Sequence, residues 1–208
     1  MKLDSIDGFA LQLGITDNCN LKCVMCNQSD DIKIYGTNGL KGKSVHKDCK
    51  GFLDLDLFRK LIDDISSTSA KFDNISLMWI GESLLHPEFF KMLEYLLIVN
   101  SSNRLFSSLV LCTNGTMLST KISDNLVRYF KEYTRANLSI VFSVDAATKK
   151  EYSLIKGKDL FDKVKNNISY LLELTSKNSV NNINITIQRL VIPEILSTNH
   201  YFLDFWGG

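Results

Sequence analysis

The sequence has no long apolar run and no excess of charge of either sign. No stretch approaches the roughly twenty apolar residues that a membrane-spanning helix requires. The opening Met1-Lys2-Leu3-Asp4-Ser5 also lacks the apolar centre of a secretory signal. A cytoplasmic protein with no membrane partner is therefore expected. The 24 basic and 23 acidic residues leave a net charge of +1 at pH 7 and are dispersed along the chain. Nothing in that balance argues for nucleic acid or an anionic surface as a partner. Cysteine is too sparse for a secreted disulfide framework, with five residues in all. What remains, 45% hydrophobic and 23% charged over 208 residues, is globular material sized for one core. One domain over residues 1–208 is expected.

Three of the cysteines fall within one short stretch, Cys19-Asn20-Leu21-Lys22-Cys23-Val24-Met25-Cys26, directly after the apolar Leu11-Gln12-Leu13-Gly14-Ile15. Structural zinc usually takes four protein ligands, and plain electron-transfer clusters usually take four thiolates. A compact trio suggests a metal centre with one position left open, and an open position means chemistry at the metal. The alternative is three buried, inert thiols, although core packing does not call for this clustering.

The rest of the chain alternates between two periods. Leu11, Leu13 and Ile15 mark a strand running into the cysteine loop; Ile75, Leu77 and Trp79 mark a second that ends in Gly81-Glu82-Ser83. Leu109 to Thr113, Leu138 to Val144, and Ile183, Ile185 and Ile187 mark three more. Between them, apolar residues at helical spacing predict helices through Leu55, Phe58, Leu61, Ile62 and Ile65, through Phe89 to Leu97, through Ile122 to Phe130, and through Phe161 to Leu172. Asp54 or Asp56 would cap the first, and Pro87 and Glu88 suit the first turn of the second. Thr148 to Ile155 reads as a short connecting segment, and Thr198 to Trp206 as a last amphipathic stretch. From Gln28 to Phe52 the chain is polar and loop-like; His46 and Cys49 within it are incidental or an accessory ligand pair. Strand and helix in alternation predict an α/β fold, a parallel sheet curling into an incomplete (β/α) barrel of about five units, its sixth strand missing. If Leu138, Ile140, Phe142 and Val144 face the helices, then Ser139, Val141, Ser143 and Asp145 line the interior, with Glu82, Thr186 and Gln188. A polar interior is costly unless water, cofactor or substrate occupies it.

The cysteine spacing, with Asn18 before it and Asn20-Leu21-Lys22 inside it, resembles the signature of the radical S-adenosylmethionine (radical SAM) enzymes. The resemblance implies that Cys19, Cys23 and Cys26 hold a four-iron four-sulfur cluster whose fourth iron is chelated by S-adenosylmethionine. Met25 stands where the family often has an aromatic residue and would pack against the adenine. Gly81-Glu82 resembles the family's glycine-glycine-glutamate-proline motif, with Ile80 for the first glycine and Ser83 for the proline. Glu82 would then meet the cofactor's amino group. Thr113-Asn114-Gly115 is similar to the family's third-strand ending, and is also simply a strong turn sequence. Phe142-Ser143-Val144-Asp145 and Tyr152 to Gly157 resemble the fourth-strand region, which places Ser143, Asp145 and Lys156 near the cofactor, with Lys156 at an arginine position. Gln188 joins them from the fifth strand, and Cys112 is expected to be a core thiol.

By this resemblance the protein is a radical SAM enzyme that cleaves its cofactor reductively and abstracts hydrogen from an unknown peptide or small-molecule substrate. It would take electrons from a flavodoxin or ferredoxin. The pattern is nearest to peptide- and protein-modifying members, whose C-terminal auxiliary-cluster extension is missing here, so the chain is expected to be a truncated core. The alternatives are a catalytically incomplete iron-sulfur module for redox or iron sensing, and a structural zinc protein using His46 or Cys49 as a fourth ligand.

Overall fold

The computed structural model describes residues 8–26, 32–33, 41–42 and 51–207. In chain order, β1 (Phe9–Gln12) is followed by a small antiparallel pair, β2 (Ile32–Lys33) and β3 (Lys41–Gly42), and by helix α1 (Leu55–Ser66). Then come β4 (Phe72–Ser76), α2 (Phe89–Asn103), β5 (Phe106–Thr113), α3 (Thr120–Glu132) and β6 (Asn137–Ser143). Two helices, α4 (Lys149–Lys156) and α5 (Phe161–Lys177), lead to β7 (Ile183–Gln188), and α6 (Asn199–Trp206) ends the described chain. The main sheet has the order β1-β4-β5-β6-β7 and every pairing in it is parallel. Neighbours in space are thus neighbours in sequence, which is what right-handed crossovers produce when they curl a sheet toward a barrel.

Period-two alternation decides which face does what. Leu138, Ile140 and Phe142 of β6, all fully buried, meet Leu109 and Leu111 of β5 and the helix residues Phe58, Ile62, Leu93, Leu96, Phe130 and Ile168 in one core. The alternate residues point to the concave face. Val110 lies opposite Ser139, Ser139 opposite Asn184, and Ser143 opposite Gln188. Ser139, Val141 and Ser143 are half-buried there, while Thr186 and Gln188 are exposed because β7 is an edge strand whose inner face is open to solvent.

Several elements differ from the sequence pattern. The second strand ends at Ser76, not at Ile80, and Trp79 is 61% exposed. Past Ser76 the chain leaves the sheet to bring Gly81 against the backbone of Thr16 and Asn18, so its alternation no longer describes a strand. The first strand likewise stops at Gln12, and Leu13 adds one further bond, from its N–H to the Ser76 carbonyl at 2.8 Å. The segment expected as a connection, Thr148 to Ile155, is instead the cap and most of a true helix, α4, started by Thr148 accepting from the Glu151 N–H and stopped after Lys156 by Gly157 at φ 73°. Leu61 and Leu172, expected on apolar faces, sit at the outer rims of α1 and α5. Pro87 and Glu88 precede α2 instead of forming its first turn. His46 and Cys49 lie outside the described residues.

The start of α1 falls to Asp54, whose Oδ1 accepts from the N–H groups of Asp56 and Leu57 at 2.9 and 3.0 Å. Asp54→Ala leaves both donors to water. The expected loss is about 1 kcal/mol, a drop of roughly 2–4 °C in melting temperature by circular dichroism.

Candidate functional site

The cysteine loop leaves the C-terminal end of β1 and is held almost entirely by distant parts of the chain. The Val24 N–H donates to the Ile155 carbonyl at the end of α4 at 2.9 Å, and Lys158 Nζ donates to the Asn20 carbonyl at 2.6 Å. A Cβ at Gly157 would stand 2.9 Å from the Lys22 carbonyl oxygen, so the loop packs directly on the backbone there. Within the loop, the Cys26 N–H donates to the Cys23 carbonyl at 3.0 Å.

So anchored, the three thiols open onto a cavity of about 310 Å³ at the C-terminal ends of the strands, where open α/β sheets bind ligands. All the site residues picked out in the sequence line this cavity. Met25 joins the cysteines; Gly81 and Glu82 follow β4, Asn114 follows β5, Ser143 ends β6 and Asp145 follows it, Lys156 ends α4, and Gln188 ends β7. The sequence reading missed Leu21, Met78 and Leu190 in the lining, and it misplaced Cys112. That thiol is half-buried on the cavity wall, not in the core. Its parity gives the reason: Leu111 and Thr113 on either side point into the protein, so Cys112 points to the concave face.

Glu82 is buried at 2% exposure, and its carboxylate is held from three sides. It accepts from the Thr113 hydroxyl at 2.9 Å, the Asn114 N–H at 2.7 Å and, weakly, the Leu84 N–H at 3.3 Å. Burial pushes its pKa up, and these donors oppose that shift. Four lone-pair sites less three donors leave capacity for one more cation or donor. The backbone on either side is tight: a Cβ at Gly81 would lie 2.3 Å from the Thr16 carbonyl oxygen, and the Glu82 N–H donates to the Asn18 carbonyl. Ile80 instead lines a separate cleft of about 410 Å³ with Trp79, Phe52 and Thr16. Its bulk, in place of a small residue, is therefore spent away from the cysteine cavity.

On the opposite wall Asp145 and Lys156 form a buried ion pair, Oδ2 to Nζ at 2.5 Å. The other Asp145 oxygen accepts from the Leu190 N–H at 2.5 Å, and the residue itself has φ 64°. A left-handed aspartate inside a fold is held there by its surroundings, and such positions cluster at functional sites. Burial pushes the Cys23 thiol up to about 11; Cys19, Cys26 and Asp145 add to the rise and Lys156 opposes it. Burial raises Cys19 and Cys112 as well. Cys19 and Cys23 are therefore held as neutral thiols near pH 7, and any metal bound by them would have to displace their protons.

Among the described residues, no group of His, Cys, Asp and Glu converges to hold a single metal ion. The three sulfurs line one cavity, and an all-thiolate donor set is the kind that iron–sulfur clusters use. A larger cleft of about 470 Å³ between α3 and α5 is lined by Asp124, Arg128, Lys131 and Glu132 and offers no comparable set. No described helix is long and apolar enough to cross a membrane.

Comparison with known proteins points the same way. A curated relative from Pyrococcus furiosus, a tungsten-containing aldehyde ferredoxin oxidoreductase cofactor-modifying protein, is 31% identical over 119 residues, 56% of this chain and 26% of the relative. Among solved structures, native anSMEcpe with bound AdoMet superposes with a TM-score of 0.63 at 20% identity, over 96% of this chain and 49% of that one. Streptococcus suis SuiB bound to precursor peptide SuiA gives 0.52 at 14%, over 95% and 37%. At those identities the structures speak for the fold, and the chain spans about half the length of the first and about a third of the second. The sequence match is more specific, because the Radical SAM superfamily model covers residues 13–191 and takes in the cysteine loop together with every strand end that faces it. This chain belongs to the radical SAM superfamily.

Proposed function

We propose that this chain is the core of a radical SAM enzyme in which Cys19, Cys23 and Cys26 hold a four-iron four-sulfur cluster and the adjoining cavity takes S-adenosylmethionine. The observation that carries the reading is the meeting, in one cavity, of the thiol trio with Glu82 on one side and Lys156 on the other. Bound together, cluster and cofactor would supply one electron, cleavage of a carbon–sulfur bond and a 5′-deoxyadenosyl radical that abstracts hydrogen.

The chain's own groups divide the binding work. The remaining acceptor capacity of Glu82 suits an α-ammonium, and Lys156, fixed by Asp145, suits an α-carboxylate as a point charge without the planar fork of arginine. Met25 offers a polarizable surface for an adenine. Ser143 and Gln188 offer neutral hydrogen-bonding groups along the strand ends, while the Asn114 carboxamide is engaged by Asn20, Thr116 and Cys19. Glycine at 81 lets the backbone close tightly beside Glu82, which fixes that carboxylate before any ligand arrives; such preorganisation lowers the cost of binding. The substrate would be a peptide or small molecule reaching the site over the concave face, and the electron would come from a flavodoxin or ferredoxin in the cytoplasm.

The test is anaerobic reconstitution with iron and sulfide, then S-adenosylmethionine and a strong reductant. A brown protein that forms 5′-deoxyadenosine is expected. A brown protein that forms none would overturn the catalytic reading in favour of an iron-sulfur module, for which the open inner face of β7 is the structural argument. A colourless protein holding one zinc would overturn both.

A further inference from the structure

Asn114 has a carboxamide whose orientation is settled by its neighbours. The Thr116 backbone N–H, which can only donate, points at Oδ1 from 2.9 Å, so that atom is the oxygen. The Thr116 hydroxyl donates to the same oxygen at 2.6 Å and accepts from Asn20 Nδ2 at 2.7 Å. Asn20 Oδ1 in turn accepts from Asn114 Nδ2 at 3.0 Å. The three side chains form a closed ring, which uses one of the two Nδ2 hydrogens. Nδ2 also lies 3.9 Å from Cys19 Sγ, within reach of a hydrogen bond to sulfur. The same thiol receives a second donor, the Leu21 backbone N–H. Asn114 thus couples a strand end to a cysteine sulfur, and the ring keeps it from turning away.

We infer that Asn114 is a positioning residue for the cluster: its N–H to Cys19 Sγ raises the potential at which a cluster bound there accepts an electron. The inference rests on the cluster reading above. Reduction adds negative charge that spreads onto the thiolate sulfurs, and an N–H dipole aimed at one of them stabilises the reduced form more than the oxidised one. Hydrogen bonds to sulfur are among the factors that set such potentials.

The test is a redox titration followed by electron paramagnetic resonance on reconstituted wild-type, Asn114→Ala and Thr116→Val proteins, with iron counted in each. Asn114→Ala is expected to keep the wild-type iron content and to titrate at a more negative potential. Thr116→Val cuts the ring but leaves the donor, and is expected to shift less. An unchanged potential in Asn114→Ala overturns the inference, as does an equal shift in Thr116→Val, which would make the effect one of loop packing. Where the alanine variant does not fold, Asn114→Asp keeps the oxygen that serves Thr116 and has no N–H; an unchanged potential there overturns the inference too. A wild-type protein that takes up no iron overturns the cluster reading itself, and this inference with it.

Discussion

Cys19→Ala is expected to abolish cleavage of S-adenosylmethionine, with 5′-deoxyadenosine falling below detection. On the proposed reading, three thiolates would serve four irons with one iron left to the cofactor, so no ligand would be spare. Removing one would leave an iron without its loop thiolate, and the nearby carboxylates Glu82 and Asp145 are already held by hydrogen bonds and an ion pair. The fold should tolerate the change, because Cys19 is not part of the apolar core and its loop is tied down by Val24 and Asn20. Cys112→Ala is the control, since that thiol faces the same cavity from β5 and lies outside the trio. It should keep the wild-type iron content. Iron analysis and product assay under anaerobic, reducing conditions decide the matter, and full turnover by Cys19→Ala would sink the assignment.

The second large effect is expected from the smallest possible change, Gly81→Ala. The added methyl would meet the Thr16 carbonyl oxygen at 2.3 Å and the Asn18 carbonyl oxygen at 2.9 Å. Both are backbone atoms, so no side chain can swing aside. Relief requires moving the segment that donates the Glu82 N–H to Asn18, and that movement pulls the Glu82 carboxylate off Thr113 and Asn114. Overpacking of this kind costs about 3 kcal/mol, or roughly 6–12 °C in melting temperature for a chain of this size. The proposed binding of S-adenosylmethionine is expected to raise the melting temperature of the wild-type protein, and less so that of the variant, because Glu82 would no longer be in place. Scanning fluorimetry with and without the cofactor measures both effects. A variant that melts with the wild type would show that the loop yields where its contacts say it cannot.

These residues differ in how readily the sequence betrays them. The cysteine trio is legible because its chemistry lies in local spacing, and the core of β6 because strict alternation leaves one face for Leu138, Ile140 and Phe142. The helix α4 was legible in principle: Thr148 and Glu151 stand in capping-box positions, but Lys149 and Lys150 between them dilute the apolar period that usually announces a helix. Cys112 could have been placed by parity alone. Trp79 could not, since its alternation with Ile75 and Leu77 is genuine, and only the approach of Gly81 to Thr16 ends the strand early. The ring of Asn20, Asn114 and Thr116 was also beyond reach. Each member is an ordinary polar residue, and what makes them a unit is a contact across 94 to 96 positions of sequence.

That reach also imposes an order on events in time. The cysteines precede by far the groups that seat their loop: Thr116 lies 96 positions after Asn20, and Lys158 lies 138 after it. Contacts so distant carry a large loop-closure cost and form late in folding. During synthesis the thiols therefore emerge long before the strand ends that will enclose them. Seating of the cysteine loop is therefore expected to be a late event in folding, one that waits for the end of α4.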